Sequence, residues 1–198
     1  TTEIYTLSLH DALPIWEDVF RRDFTINGLL MDPDTGDIID YVNGRFDIDN
    51  KIVRTIGNPG KRFREDYLRL LRAVRFAANL HFDLEPATQD AVKREASNIR
   101  HISVERIREE LNKILTRGGA RRGFELMMQT DILQNILPEI CRLKGVEQPP
   151  RFHPEGDVWQ HTLKMLELLP ADGEREKNIC LAWRSEEHTS ELQSRQSI

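Results

Sequence analysis

The sequence predicts a mainly α-helical protein with a small β part, and three observations carry this. Residues 24–31 (FTINGLLM) form a β-branched, apolar run. A turn with Pro33 and Gly36 (DPDTG) separates it from a second apolar run at 37–42 (DIIDYV). That is the pattern of a strand–turn–strand hairpin. Beyond Gly57, Pro59 and Gly60 the apolar period becomes helical. Helix starts then recur: Pro86 fits a first helical position, and Ser103 can cap a helix whose Val104, Ile107, Leu111, Ile114 and Leu115 keep helical spacing.

The elements follow in order. After the hairpin, Asn43-Gly44 is a strong turn signal, and a short strand fits 52–56. Residues 65–80 read as one helix, and the next opens at Glu85-Pro86. The Ser103-capped helix stops at Gly118-Gly119, with shorter helices at 120–128 and 132–137. Gln148-Pro149-Pro150 is a stiff linker and the best domain boundary, and a further helix spans 157–169. No internal repeat or low-complexity segment is visible.

The 198 residues are 31% charged and 39% apolar, a folded, soluble balance. A formal net charge of -5 argues weakly against a nucleic-acid partner. No apolar run is long enough to span a membrane. Cys141 and Cys180 lie far apart without a CxxC pattern, which argues against a disulfide framework or a zinc site and makes a reducing cytoplasm the default.

Both ends stand apart. Residues 1–15 (TTEIYTLSLHDALPI) lack a clean period, and 184–198 begin with the polar string RSEEHTSELQS. Both resemble conceptual translations of synthetic sequencing adapters and are set aside from fold reasoning. Without them Lys+Arg falls from 28 to 26 and Asp+Glu from 33 to 28, a net charge of -2. The charge argument against RNA weakens accordingly.

The chemistry concentrates in the helix predicted over 65–80. On a helical wheel with Asp66 at the origin, Tyr67, Leu70, Leu71, Val74 and Ala78 share one side and form a packed face. Arg75, Arg72 and Arg69 fall on the opposite half, which they share with Asp66. One reading is a solvated face with ion pairs worth a few tenths of a kcal/mol each. Against it, all three bases are arginines, whose fixed forks suit phosphates and base edges. Asp66 and Arg69, an acceptor and a forked donor one turn apart, could read a nucleobase edge as a pairing partner does.

Glu65-Asp66-Tyr67-Leu68-Arg69 resembles the ED-x-x-R motif of the bacterial-type (class II) CCA-adding tRNA nucleotidyltransferase and poly(A) polymerase family. In that family the Asp and first Arg template the incoming CTP or ATP, which carries to Asp66 and Arg69. The next two arginines, Arg72 and Arg75, are implied to touch nucleotide. The segment 21–29 (RRDFTINGL) resembles the family's RRDFTINAL, with Gly28 for Ala, a loss of one methyl expected to cost little. Arg22 is implied to bind nucleotide and Asp23 to lie near the ribose. The segment 40–47 (DYVNGRFD) resembles the D-x-x-G-G-x-x-D connector, with Asn43 replacing a Gly. Residues 103–111 resemble a helix-stabilising motif read as structural.

The resemblance runs from Arg21 to about Pro138. It implies the C-terminal remnant of a polymerase-β-like head at 16–57, a helical neck at 58–148 that selects nucleotide and binds RNA, and the truncated start of an HD domain at 149–183. In that last part His161, within 153–162 (HPEGDVWQHT), corresponds to a first metal ligand. For this piece a histidine on a partly packed helix is the favoured reading, since one ligand cannot hold a metal. The implied parent is a cytoplasmic enzyme adding C and A to the 3′ end of tRNA from CTP and ATP with Mg²⁺. Its D-x-D carboxylates have no counterpart ahead of Trp16, and Asp32-Pro33-Asp34 reads as a turn. The piece is therefore expected to incorporate no labelled CTP or ATP. A poly(A) polymerase or a CC- or A-only enzyme fits the same motifs. A nucleotide- or RNA-binding module, or an HD phosphohydrolase with a vestigial transferase site, is the alternative of another class.

Overall fold

The computed structural model describes residues 15–147 and 156–169. Almost all of the strings at 1–15 and 184–198, the 148–150 linker and Cys180 lie outside the described residues. Helix α1 (Ile15–Arg21) leads through a 3₁₀ turn at Thr25–Asn27 into the antiparallel hairpin β1 (Leu29–Met31) and β2 (Ile38–Asp40), with Leu30 opposite Ile39. The hairpin is shorter than its apolar runs suggest. Phe24 makes only an isolated bridge to Thr55, and the chain then turns. Asp32 accepts the backbone N–H groups of Asp34 and Thr35, so Asp32-Pro33-Asp34 is the hairpin turn.

The connector at 40–47 is a small helix, α2 (Gly44–Asp49), rather than a bare turn. The Asp40 carboxylate receives the N–H groups of Val42, Gly44 and Arg45, each at 3.0 Å. Asn43 takes the left-handed conformation (φ 59°) that its short polar side chain tolerates. Gly44 is needed for a close approach, since a Cβ there would sit 2.3 Å from the Thr25 carbonyl oxygen. Buried Asp47 closes the unit, accepting from Thr25 Oγ1 at 2.6 Å and Arg54 Nε at 3.1 Å.

The helix read over 65–80 is two helices, α3 (Pro59–Glu65) and α4 (Leu68–Leu80). Pro59 does not break the chain; it occupies the first turn of α3, capped by Asn58, whose Oδ1 accepts the Lys61 N–H. Between the helices Asp66 is extended (φ -155°, ψ 107°), and its Oδ1 accepts the Leu68 N–H. A local side-chain bond of this kind competes with helix continuation.

Strand β3 (Ile52–Val53) pairs in parallel with β4 (Asp83–Leu84), a partner the sequence does not announce. Then come α5 (Pro86–Glu95), a 3₁₀ segment at Ala96–His101, α6 (Val104–Leu115), α7 (Ala120–Gln129), α8 (Ile132–Ile136), α9 (Pro138–Cys141) and α10 (Val158–Glu167). Pro86 takes its expected place in the first turn of α5; Ser103 stands at the N-cap position of α6, but its side chain makes no capping hydrogen bond. Helix α4 is the spine. Leu70, Leu71, Val74, Ala77 and Ala78 are buried in one core with Phe24, Phe63, Ile114, Met127 and Leu133. Trp159 and Leu163 of α10 join that core, and Arg121 of α7 reaches Glu167 at 2.6 Å. No helix among the described residues is long and apolar enough to cross a membrane.

Candidate nucleotide-selecting groove

The break at Asp66 opens a groove of about 570 Å³, a size usual for small-molecule sites. Arg21, Arg22, Asp23 and Asn27 form one wall. Asp66, Leu68, Arg69, Arg72 and Phe76 form the floor, and Arg106 of α6 forms the far rim. Five guanidiniums face two carboxylates, so the lining suits a polyanionic ligand.

Each group is held from behind. Asp23 is buried, and its oxygens accept from Phe24 N, Asn27 Nδ2 and Arg72 Nε, the last at 2.7 Å, with Arg72 Nη2 in ion-pair contact at 2.6 Å. Arg22 pairs with Asp18 at 2.9 Å and donates to the Asn27 carbonyl. Arg69 donates to Glu65 at 2.8 Å and to the Arg62 carbonyl at 3.0 Å. The bond from Arg69 is the main reason the Glu65 carboxyl lies below its usual range. Arg62 bridges Glu65 and the Arg22 carbonyl; burial, then the nearby Arg69 charge, draws its guanidinium below the ordinary value. Asp66 Oδ2 accepts from Arg106 Nη2 at 3.0 Å.

Of the residues singled out by sequence, Arg22, Asp23, Asp66, Arg69 and Arg72 meet in this groove. Arg75 does not join them. It is buried, donates to Glu110 at 2.5 Å, and lies 4.0 Å from the Phe76 ring centroid. The wheel placed it on the polar half with Arg69 and Arg72, and α6 covers that half at Arg75 while leaving Arg69 and Arg72 to the groove. His161 lies on α10, away from the groove lining. Among the described residues no three His, Cys, Asp or Glu side chains cluster to hold a metal ion. The described residues therefore do not fit a Mg²⁺ site.

Sequence reading missed Glu65 and Arg106 as groove partners. Glu65 and Arg69 stand at i,i+4, a spacing that signals an ion pair. Arg106 lies 40 positions from Asp66 and carries no comparable local signal.

Two stretches match known families in chain order. Residues 5–54 match the Poly A polymerase head domain, a match that starts inside the string set aside at 1–15. Residues 81–143 match the "Probable RNA and SrmB- binding site of polymerase A". The groove helix lies between them. The chain is 44% identical over 120 residues to the CCA-adding enzyme of Bacillus subtilis (61% of this chain, 30% of that protein). It is 40% identical over 161 residues to that of Lactobacillus helveticus (79% and 40%). Among solved structures, the Bacillus stearothermophilus CCA-adding enzyme in complex with CTP superposes with a TM-score of 0.59 at 45% identity, over 61% of this chain and 30% of that one. A tRNA-processing enzyme with CTP gives 0.59 at 28% identity, over 70% and 37%. The class is that of proteins built on a poly(A) polymerase head. Within it, the chain belongs to the bacterial-type (class II) CCA-adding enzyme family. It spans less than half the length of these curated relatives.

Proposed function

We propose that this chain is the nucleotide-selecting part of an enzyme that adds C and A to the 3′ end of tRNA, using CTP and ATP. The observation that carries the proposal is the placing of Asp66 and Arg69 on one groove floor with separate counter-ions, Arg106 and Glu65. An ionised carboxylate only accepts hydrogen bonds, and a guanidinium only donates them. Cytosine and adenine both present an amino donor beside a ring-nitrogen acceptor, which complements that pair. Uracil and guanine present a carbonyl beside an N–H and do not. Arg22 and Arg72 are positioned for phosphates and ribose. Arg75, implied by the resemblance to touch nucleotide, serves instead to fix α4 against α6.

The same reading assigns 16–57 to the end of a polymerase-β-like head, 58–148 to the RNA-binding neck and 149–183 to the opening of an HD domain, in a cytoplasmic enzyme. His161 would supply one imidazole to that HD site. Phosphoryl transfer in such an enzyme draws on Mg²⁺. Since the described residues do not fit the ion, they are assigned no step that passes through it.

The test is titration of the chain with CTP, ATP, UTP and GTP by calorimetry or NMR. CTP and ATP are expected to bind more tightly than UTP and GTP, with Asp66→Ala and Arg69→Ala abolishing the preference. Equal binding of all four would reduce the groove to a general anion site.

A further inference from the structure

Asp66 and Arg69 stand three residues apart and carry opposite charges, the arrangement in which neighbours neutralise one another. They do not. Among the described residues no ion pair joins them: Arg69 pairs with Glu65, and Asp66 with Arg106. Each reading group has its own counter-ion, and the two stay apart.

Asp66 lies in extended backbone, outside both flanking helices, so no helix geometry orients its side chain. Two donors do. Leu68 N–H holds Oδ1 at 3.1 Å and Arg106 Nη2 holds Oδ2 at 3.0 Å. One donor on each oxygen fixes the carboxylate plane and leaves lone pairs for a ligand. The Leu68 bond is local, whereas Arg106 reaches in from the first turn of α6. That helix is keyed to α4 by Arg75–Glu110 and by Asn79 Nδ2 to the Lys113 carbonyl at 3.0 Å.

The pair is part-exposed, with 49% of the Arg106 side chain and 33% of the Asp66 side chain accessible. Such pairs contribute little to stability. What this one does is orient. We infer that Arg106 is a specificity-determining positioning residue: it keeps the Asp66 carboxylate off Arg69 and presented to the groove, so that an amino-bearing base is chosen over a keto-bearing one. This rests on the nucleotide-selecting reading of the groove.

CTP and UTP share a triphosphate and ribose and differ on the edge that Asp66 and Arg69 would read. Their affinities for the full chain are to be measured by calorimetry, for the natural sequence and for Arg106→Ala, Arg106→Gln and Arg106→Lys. The Ala and Gln variants are expected to lower the CTP:UTP affinity ratio by roughly tenfold, about the effect of one hydrogen bond to a charged group. UTP affinity and the thermal midpoint stay unchanged, and Arg106→Lys, which keeps a cation, retains most of the ratio. If the natural chain shows no CTP preference, the nucleotide-selecting reading fails first. If it does and Arg106→Ala keeps the ratio, this inference alone is overturned. Equal loss of CTP and UTP affinity overturns it too, since that marks a phosphate ligand. Should Arg106→Ala not fold, Arg106→Gln, which keeps much of the stem, is held to the same readout.

Discussion

Arg75 Nε donates to Glu110 at 2.5 Å, and both side chains are almost wholly buried between α4 and α6. Lys113 adds a second bond to the same carboxylate at 2.8 Å. Burial alone would push the Glu110 carboxyl up, but Lys113 and Arg75 outweigh it and hold it below its usual range. Removing one partner of a buried pair leaves an uncompensated charge, and Glu110→Ala or Arg75→Ala is expected to lose about 3–5 kcal/mol in urea unfolding. Replacing both with apolar residues of similar volume should cost far less. A double variant as unstable as either single one contradicts this account.

The Asp40 carboxylate gives a pH signature. Burial raises its pKa, but the N–H groups of Arg45, Gly44, Val42 and Asn43 together bring it below the ordinary value. A carboxyl depressed on folding stabilises the protein above its unfolded pKa and loses that contribution as pH falls through the folded value. Asp40→Asn should therefore unfold at lower urea than the natural chain at pH 7, with the gap closing below about pH 4. A gap that persists unchanged at acid pH would assign the effect to shape rather than charge.

Gly44 and Gly28 separate two kinds of close approach. A Cβ on Gly44 meets backbone, the Thr25 carbonyl oxygen at 2.3 Å, which cannot rotate away. Gly44→Ala is expected to cost about 1–3 kcal/mol, as overpacking does. A Cβ on Gly28 meets first a side-chain atom, the Val42 Cγ2 methyl at 2.5 Å, with the Thr25 carbonyl oxygen and Ile56 Cδ1 next at 3.2 and 3.3 Å. Gly28→Ala should be relieved in large part by Val42→Ala, whereas no single side-chain truncation should relieve Gly44→Ala.

The helical spine, the hairpin and most helix starts are legible in sequence because they rest on local signals: apolar spacing, Pro86 at a first turn, and Ser103 at an N-cap position, although its side chain makes no capping bond. The groove is less so. The wheel treats 65–80 as continuous, yet Asp66 bonds Leu68 N–H and leaves the helix, and an aspartate is a known local competitor for backbone donors. That break, not a helical face, points Asp66 into the groove. The wheel also describes one helix without its neighbours, so it grouped Arg75 with Arg69 and Arg72 on an open polar half where α6 buries it. The Arg106–Asp66 bond and the β3–β4 pairing join segments far apart in the chain, beyond any window of local pattern.

Asp23 supplies the last prediction. The resemblance places it near a ribose, but its two oxygens already accept three hydrogen bonds, from Phe24 N, Asn27 Nδ2 and Arg72 Nε, and Arg72 Nη2 makes a further ion-pair contact on the same Oδ2. A carboxylate has about four acceptor positions, so little capacity remains for a sugar hydroxyl. On the proposed nucleotide-selecting reading, Asp23 would act on the nucleotide through Arg72, whose guanidinium it fixes from behind. Asp23→Ala and Arg72→Ala should be strongly non-additive in CTP affinity, with a coupling of about 0.5–3 kcal/mol. The penalty for 2′-deoxy-CTP should be the same in Asp23→Ala as in the natural chain. Additive losses, together with a deoxy penalty that vanishes in Asp23→Ala, would instead put the carboxylate directly on the ribose and require Arg72 to release it when nucleotide binds.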